Sequence, residues 1–306
     1  MLKLAVPAWT VLALTLAAPS AWAQCATVDP VIVPQIRVDP LAASEATDLI
    51  QPLQLTFRRS GIGSEPVKLR YQIIDDDSAA IARVGLSQGP VIDWTSADSS
   101  RSIGALRYEA YSLLRTGVVT IGADDGAVQR AVTLRLGDVR SDIPAGVYRE
   151  QFTVRYWCEA EEMGLPYESA GAIAVSVAVP NVLSASVAGA SLRGEIDFMD
   201  FAALSRTLQV SVRSTGPYRV SARSENNSVL IREGGEASLR ASDRISYSAD
   251  FAGEGLSLVN AADARQMPRA GLAGRLIPLV VNVDSIKGKV AGRYFDTIYL
   301  TLEPAN

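Results

Sequence analysis

Alternation of apolar and polar residues recurs along this chain from the first quarter to the last. A period of two restricts the fold to sheets with one buried face. Leu53-Gln54-Leu55-Thr56-Phe57-Arg58, Lys68-Leu69-Arg70-Tyr71-Gln72-Ile73 and Ala131-Val132-Thr133-Leu134-Arg135-Leu136 carry it most plainly. Phe152, Val154 and Tyr156 line one side of a further segment. Ile173, Val175, Val177 and Val179 line another, with Ala174, Ser176 and Ala178 between them. The second half repeats the pattern at Leu208, Val210 and Val212, from Ile277 to Val283, and at Ile298, Leu300 and Leu302. Clusters of Gly, Pro, Asp and Ser separate the runs, and helical periodicity is confined to a short stretch around 103–114. The expectation is an all-β chain built as β-sandwiches.

Two blocks occur twice, in the same order. Leu53 to Gly61 matches Leu208 to Gly216 at an offset of 155 residues, and Ala145 to Phe152 matches Ala291 to Ile298 at an offset of 146. We read two related domains, 24–180 and 181–306, joined at Pro180-Asn181. In each Ala-Gly-x-Tyr-x-acid block the Gly permits a tight turn and the Tyr opens a strand. The Tyr hydroxyl can bond back to the turn, as in a tyrosine corner. The copies end differently. Ala172 to Val179 follows the first copy as a candidate seventh strand, whereas only Glu303, Pro304, Ala305 and Asn306 follow Leu302. The second domain is therefore expected to lack its last strand, and such an edge aggregates or recruits a strand from another chain.

Residues 1–23 combine Lys3, an apolar run from Leu4 to Ala17 and the small-x-small site Ala21-Trp22-Ala23, the pattern of a secretory signal peptide. No later segment approaches about 18 unbroken apolar residues, so no transmembrane segment is expected. Export gives the two cysteines meaning: Cys25 and Cys158 are expected to form an internal disulfide contributing about 3–5 kcal/mol. The alternative is two free thiols or an intermolecular bridge. The chain has no histidine, which excludes Ser-His-Asp and Cys-His machinery and histidine metal sites. A formal net charge of −4 argues against nucleic-acid binding. The clusters Asp75-Asp76-Asp77 and Asp124-Asp125-Gly126 read as turn chemistry rather than a carboxylate pair or calcium loop. Neither an enzyme nor a cofactor is expected.

At the C-terminus, Ala291-Gly292-Arg293-Tyr294-Phe295-Asp296-Thr297-Ile298-Tyr299-Leu300 resembles the closing motif of spore coat protein U domains. Arg213-Ser214-Thr215-Gly216-Pro217-Tyr218 resembles the turn after their second strand, Arg244-Ile245-Ser246-Tyr247 their mid-domain signature and Ile196-Asp197-Phe198 their first-strand signature. That family includes subunits of archaic chaperone–usher pili of Gram-negative bacteria. The resemblance covers 181–306 and reaches the first domain only through the repeat. It departs from the family in having no cysteine in the second domain. It implies tandem immunoglobulin-like, pilin-type sandwiches, the second incomplete. A periplasmic pilus chaperone would fill the groove first, and a neighbouring subunit's strand would replace it at the outer-membrane usher. The polypeptide passes through the periplasm to a cell-surface fimbrium in this reading. No donor extension precedes Cys25, which places the subunit at the tip, as an adhesin.

Leu183, Val187, Ile298, Leu300 and Leu302 are the candidate lining of the donor-strand groove, and they would equally line an ordinary closed core. Trp94, Tyr108 and Tyr111 lie in two long, partly apolar stretches (81–94 and 103–119). They are candidate surface-contact residues if those stretches are loop tips, and core covers if not. Two other readings stay open: a periplasmic or secreted envelope sandwich that never polymerises, and a pilus chaperone.

Overall fold

The structure is a computed structural model that describes residues 24–38, 40–41, 49–61, 64–75, 91–97, 101–107, 112–137, 142–158, 166–187, 192–234, 240–260 and 263–305. The signal-peptide expectation, Tyr108 and Tyr111 fall outside them. In the first half the strands are β1 (Ala26–Val28), β2 (Val31–Ile32), β3 (Ile36–Arg37), β4 (Leu49–Arg59), β5 (Val67–Asp75), β6 (Val91–Ser96), β7 (Gly104–Leu106), β8 (Gly117–Ile121), β9 (Ala127–Gly137), β10 (Gly146–Cys158) and β11 (Tyr167–Val179). The second half contributes β12 (Leu183–Val187), β13 (Ser205–Ser214), β14 (Tyr218–Ser224), β15 (Val229–Arg232), β16 (Arg244–Phe251), β17 (Glu254–Leu256), β18 (Arg265–Met267), β19 (Gly271–Val283), β20 (Tyr294–Phe295) and β21 (Ile298–Pro304). Among the described residues, helical structure is limited to single 3-10 turns such as Leu113–Arg115. The chain is all-β, and the alternating runs are its strands.

Four sheets form two sandwiches. In the first, the order β1-β4-β9-β6 faces β2-β11-β10-β5-β7, with β3 also on β11 and β8 on β5. In the second, β12-β13-β19-β16-β15-β20 faces β18-β14-β21, with β17 on β16. No sheet mixes strands from the two halves, and each sandwich has its own apolar core. Phe57, Tyr71, Trp94, Phe152 and Tyr156 are buried in the first; Val212, Tyr218, Val220 and Phe251 are buried in the second. The repeated block folds alike in both. The Tyr148 hydroxyl donates to the Pro144 carbonyl and the Tyr294 hydroxyl to the Val290 carbonyl, each at 2.6 Å and four residues back. Each tyrosine thus anchors the turn from which its strand starts.

Cys25 and Cys158 are disulfide-bonded, tying the start of β1 to the end of β10 at the pole of the first sandwich far from the second. At the opposite pole only three residues separate β11 from β12, and buried Thr215 organises them. Its hydroxyl donates to the Pro180 carbonyl at 2.7 Å and accepts from the Val182 amide at 2.8 Å. Its amide donates to the Val182 carbonyl, and its carbonyl accepts from the Ala145 amide. Asp142 of the first sandwich receives the Arg269 guanidinium fork at 2.8 and 3.0 Å and the Leu272 amide at 2.9 Å. The two halves are held end to end by side chains as well as by the linker.

Trp94 corrects one expectation. It is not a surface-contact residue: it sits inward on β6, is fully buried, and packs edge-on against Phe152 with ring centroids 5.2 Å apart. The apolar stretch ending at Trp94 finishes as a core strand, because alternation at Ile92, Trp94 and Ser96 turns that face into the sandwich. Trp94→Ala should therefore lower the stability of the first sandwich by about 3–5 kcal/mol. Urea unfolding of the full chain should show that transition moving to lower denaturant while the second sandwich's transition stays in place.

Candidate functional site

The pairing registers put the two sandwiches in one frame. Leu53 faces Val132 as Leu208 faces Leu279, and Cys158 faces Leu69 as Pro304 faces Tyr218. In that frame β10 and β21 are the same strand, and what flanks them differs.

In the first sandwich β11 pairs antiparallel with β10 from Gly146↔Val179 to Tyr156↔Tyr167. It runs parallel to β2 and β3 on its other side. Its inward residues Ile173, Val175, Val177 and Val179 are buried, and beneath them lie buried Leu53, Val132 and Leu134. In the second sandwich β21 pairs with β14 along its whole length, and no strand among the described residues lies on its other edge. In chain order 192–198 follows β12 as β2 and β3 follow β1, yet 192–198 makes no ladder. Between this segment and 292–298 a cleft of about 600 Å³ opens. Its floor is Leu208, Leu279 and Val281, the counterparts of Leu53, Val132 and Leu134. The cleft occupies the place that β11 fills in the first sandwich.

Of the groove residues expected from sequence, Ile298 borders the cleft. Leu300, Leu302 and Leu183 continue beyond it towards the first sandwich, packed against the second core and half-buried. Phe152, Val154 and Tyr156, the first-sandwich counterparts of Ile298, Leu300 and Leu302, are fully buried beside β11. Val187 is also half-buried, but it lies beneath the 192–198 segment rather than on an open wall. A Cβ on Gly194 would come within 2.8 Å of Val187 and 2.9 Å of Leu208. Sequence reasoning missed that segment as a wall. Phe198 is buried there, its ring stacks on Phe201 at 5.9 Å, and Phe201 meets the ring of Tyr294 edge-on. The 155-residue offset, carried onto Leu208, was the available signal for the floor.

The acid of the second Ala-Gly-x-Tyr-x-acid block holds the rim of the cleft. Asp296 accepts from the Tyr247 hydroxyl at 2.6 Å, the Ser224 hydroxyl at 2.5 Å, and the Asn226 and Thr297 amides at 3.1 and 2.7 Å. This fixes the crossing of the chain from β20 to β21, hence the direction of the open edge. Burial, followed by the hydrogen bond to Asp296, pushes the Tyr247 phenol well above its ordinary range. The folded state then holds the Tyr247 proton more tightly than the unfolded chain. That contribution is complete below about pH 10 and is lost as pH rises beyond it.

Asp296→Ala leaves two hydroxyls and two amides without their acceptor and should cost the second sandwich about 2–4 kcal/mol by urea unfolding at neutral pH. Between about pH 10 and 11 the second sandwich should lose stability, and Tyr247→Phe should flatten that decline. Urea midpoints across this range for both chains give the comparison.

No protein-family model matches the chain, and no curated protein matches it. Among solved structures it is similar to the chaperone–tip adhesion subunit pre-assembly complex CsuC–CsuE of archaic chaperone–usher Csu pili of Acinetobacter baumannii. Identity there is 13%, 91% of this chain and 99% of that chain are covered, and the TM-score is 0.38. The CupB6 tip adhesin of Pseudomonas aeruginosa matches at 13% identity over 90% of this chain and 92% of that one, with a TM-score of 0.45. The CFA/I adhesin CfaE of enterotoxigenic E. coli matches at 11% identity over 91% and 93%, with a TM-score of 0.42. These superpositions are too loose to bear on function.

Proposed function

We propose that this chain is an exported, adhesive subunit of a chaperone–usher type surface pilus, placed at the tip and completed by a strand from another protein. One observation carries the reading: the cleft between 194–201 and 292–298, which reaches the start of β21 at Ile298, stands where the second half of β11 completes the first sandwich, with equivalent apolar residues in its lining. A backbone edge beside an apolar trough is a template for strand addition. The first sandwich supplies the chemistry of the guest, an extended segment with β-branched apolar residues at alternate positions, as Ile173, Val175, Val177 and Val179 are in β11. It also supplies the polarity. A guest antiparallel to β21 starts at the end nearest the first sandwich and leaves at the opposite pole. Its parent body then sits beyond that pole and leaves the first sandwich free at the extremity of the assembly. The guests in this reading are a periplasmic pilus chaperone and then a neighbouring subunit, exchanged at an outer-membrane usher. The spore coat protein U-like motifs of 181–306 support the same reading.

The test appends to the full chain, after its last residue, a short Gly-Ser turn and a copy of the β11 sequence 167–179. This makes the missing hairpin available in cis. The second sandwich should then unfold about 10 °C higher or more. The gain should vanish when the appended counterparts of Val175 and Val177 are Asp. A second transition unmoved by the appended strand would show that the sandwich is already complete.

A further inference from the structure

In the first sandwich, the end of the slot far from the junction is closed covalently: Cys25, one residue before β1, is bonded to Cys158, the last residue of β10. Two hydrogen bonds reinforce it, from the Gln24 side chain to the Tyr156 hydroxyl and from that hydroxyl to the Ala26 carbonyl. The second sandwich has neither cysteine nor tyrosine at those positions. Register identifies the counterparts. Ala26 faces Arg59 as Leu183 faces Ser214, and the Ser60 amide bonds the Cys25 carbonyl as the Thr215 amide bonds the Val182 carbonyl. Cys25 therefore corresponds to Val182, Gln24 to Asn181, and Cys158 to Pro304.

At that place Asn181 does the joining. Its side-chain amide donates to the Ala305 carbonyl at 2.6 Å and to the Pro217 carbonyl at 3.0 Å, while the Ala305 amide donates to the Pro217 carbonyl. The start of β12, the end of β21 and the turn before β14 are thereby held at one point, where β12 and β21 come within 8 Å. The site is built tightly around the side chain. A Cβ on buried Gly216 would lie 2.6 to 2.9 Å from Asn181 Oδ1, Cγ and Nδ2.

We propose that Asn181 is the positioning residue of the open slot, setting its width at the end nearest the first sandwich by hydrogen bonds, as the disulfide does covalently in the completed copy. This rests on the strand-accepting reading above. A slot whose strand is supplied in cis can be closed by a permanent bond. A slot that must admit a strand from outside needs a bracket that holds β12 and β21 in place and can yield while the guest enters. Amide donors to main-chain carbonyls meet both requirements, because each such bond is directional yet weak enough to break and re-form.

The experiment measures binding of a labelled 13-residue peptide with the β11 sequence to the full exported chain and its variants. Urea unfolding of the second sandwich is followed alongside. Asn181→Ala should weaken binding at least about tenfold, the loss of one to two hydrogen bonds. Gly216→Ala, which crowds the same side chain without touching the slot, should weaken it in the same direction. Adding Val182→Cys with Pro304→Cys to the Asn181→Ala chain should form a bridge that restores equilibrium affinity to within about threefold of the original while slowing the guest's entry, because a permanent bond holds the width but cannot yield. Unchanged binding in both single variants, or a bridge that forms without restoring affinity, overturns the role of Asn181. No binding by the original chain overturns the strand-accepting reading itself. If Asn181→Ala prevents folding, Gly216→Ala and the bridged chain decide.

Discussion

Among the described residues the inner edge of β21 carries backbone N–H and C=O groups with no ladder to join, and the organisation of the second sandwich follows from it. A strand at the middle of a sandwich sheet has to satisfy both edges, since unpaired main-chain groups beside an apolar core cost more than any one side-chain contact returns. β10 meets that demand with β14's counterpart β5 on one side and β11 on the other. β21 meets it on one side only. The consequences reach outward: 192–198 makes no ladder, Phe198 and Phe201 line the cleft together with buried Leu279 and Val281, and Ile298, Leu300 and Leu302 stay half-buried.

The first sandwich is built in the opposite sense, with its slot filled, its far end covalently closed and Trp94, its largest fully buried side chain, wholly inside. The junction joins a finished body to an unfinished one. Thr215 and Asn181, two residues of small and ordinary side chains, serve both bodies. One fixes the linker between them, and the other fixes the end of the open slot that abuts the linker. The orientation of the first sandwich and the geometry of the slot thus share a support.

Much of this was legible in the sequence, for physical reasons. Alternation reports a half-buried strand directly, so the β4, β9, β10, β11 and β19 runs could be found one by one. The two Ala-Gly-x-Tyr blocks could be aligned because both tyrosines bond four residues back. A lone pair of cysteines in an exported chain has one internal pairing. The wall formed by 192–201 was not legible, because a segment that makes no ladder has no period to reveal it. Trp94 was ambiguous because an apolar residue near the end of a long irregular stretch reads equally as a loop tip or as the first turn of a core strand. Asn181 looked like linker chemistry beside Pro180. Only the pairing register, which equates it with Gln24 and its neighbour with Cys25, gives it another role.

Amide hydrogen exchange on the full chain, read residue by residue, tests the incomplete sandwich most directly. With β21 open on one edge, the amides of 298–303 that point into the slot exchange far faster than the alternate amides bonded to β14. They also exchange far faster than their counterparts in β10, which β11 protects. Slow exchange at every amide of β21, matching β10, would mean that a strand already closes the second sandwich and would contradict the account.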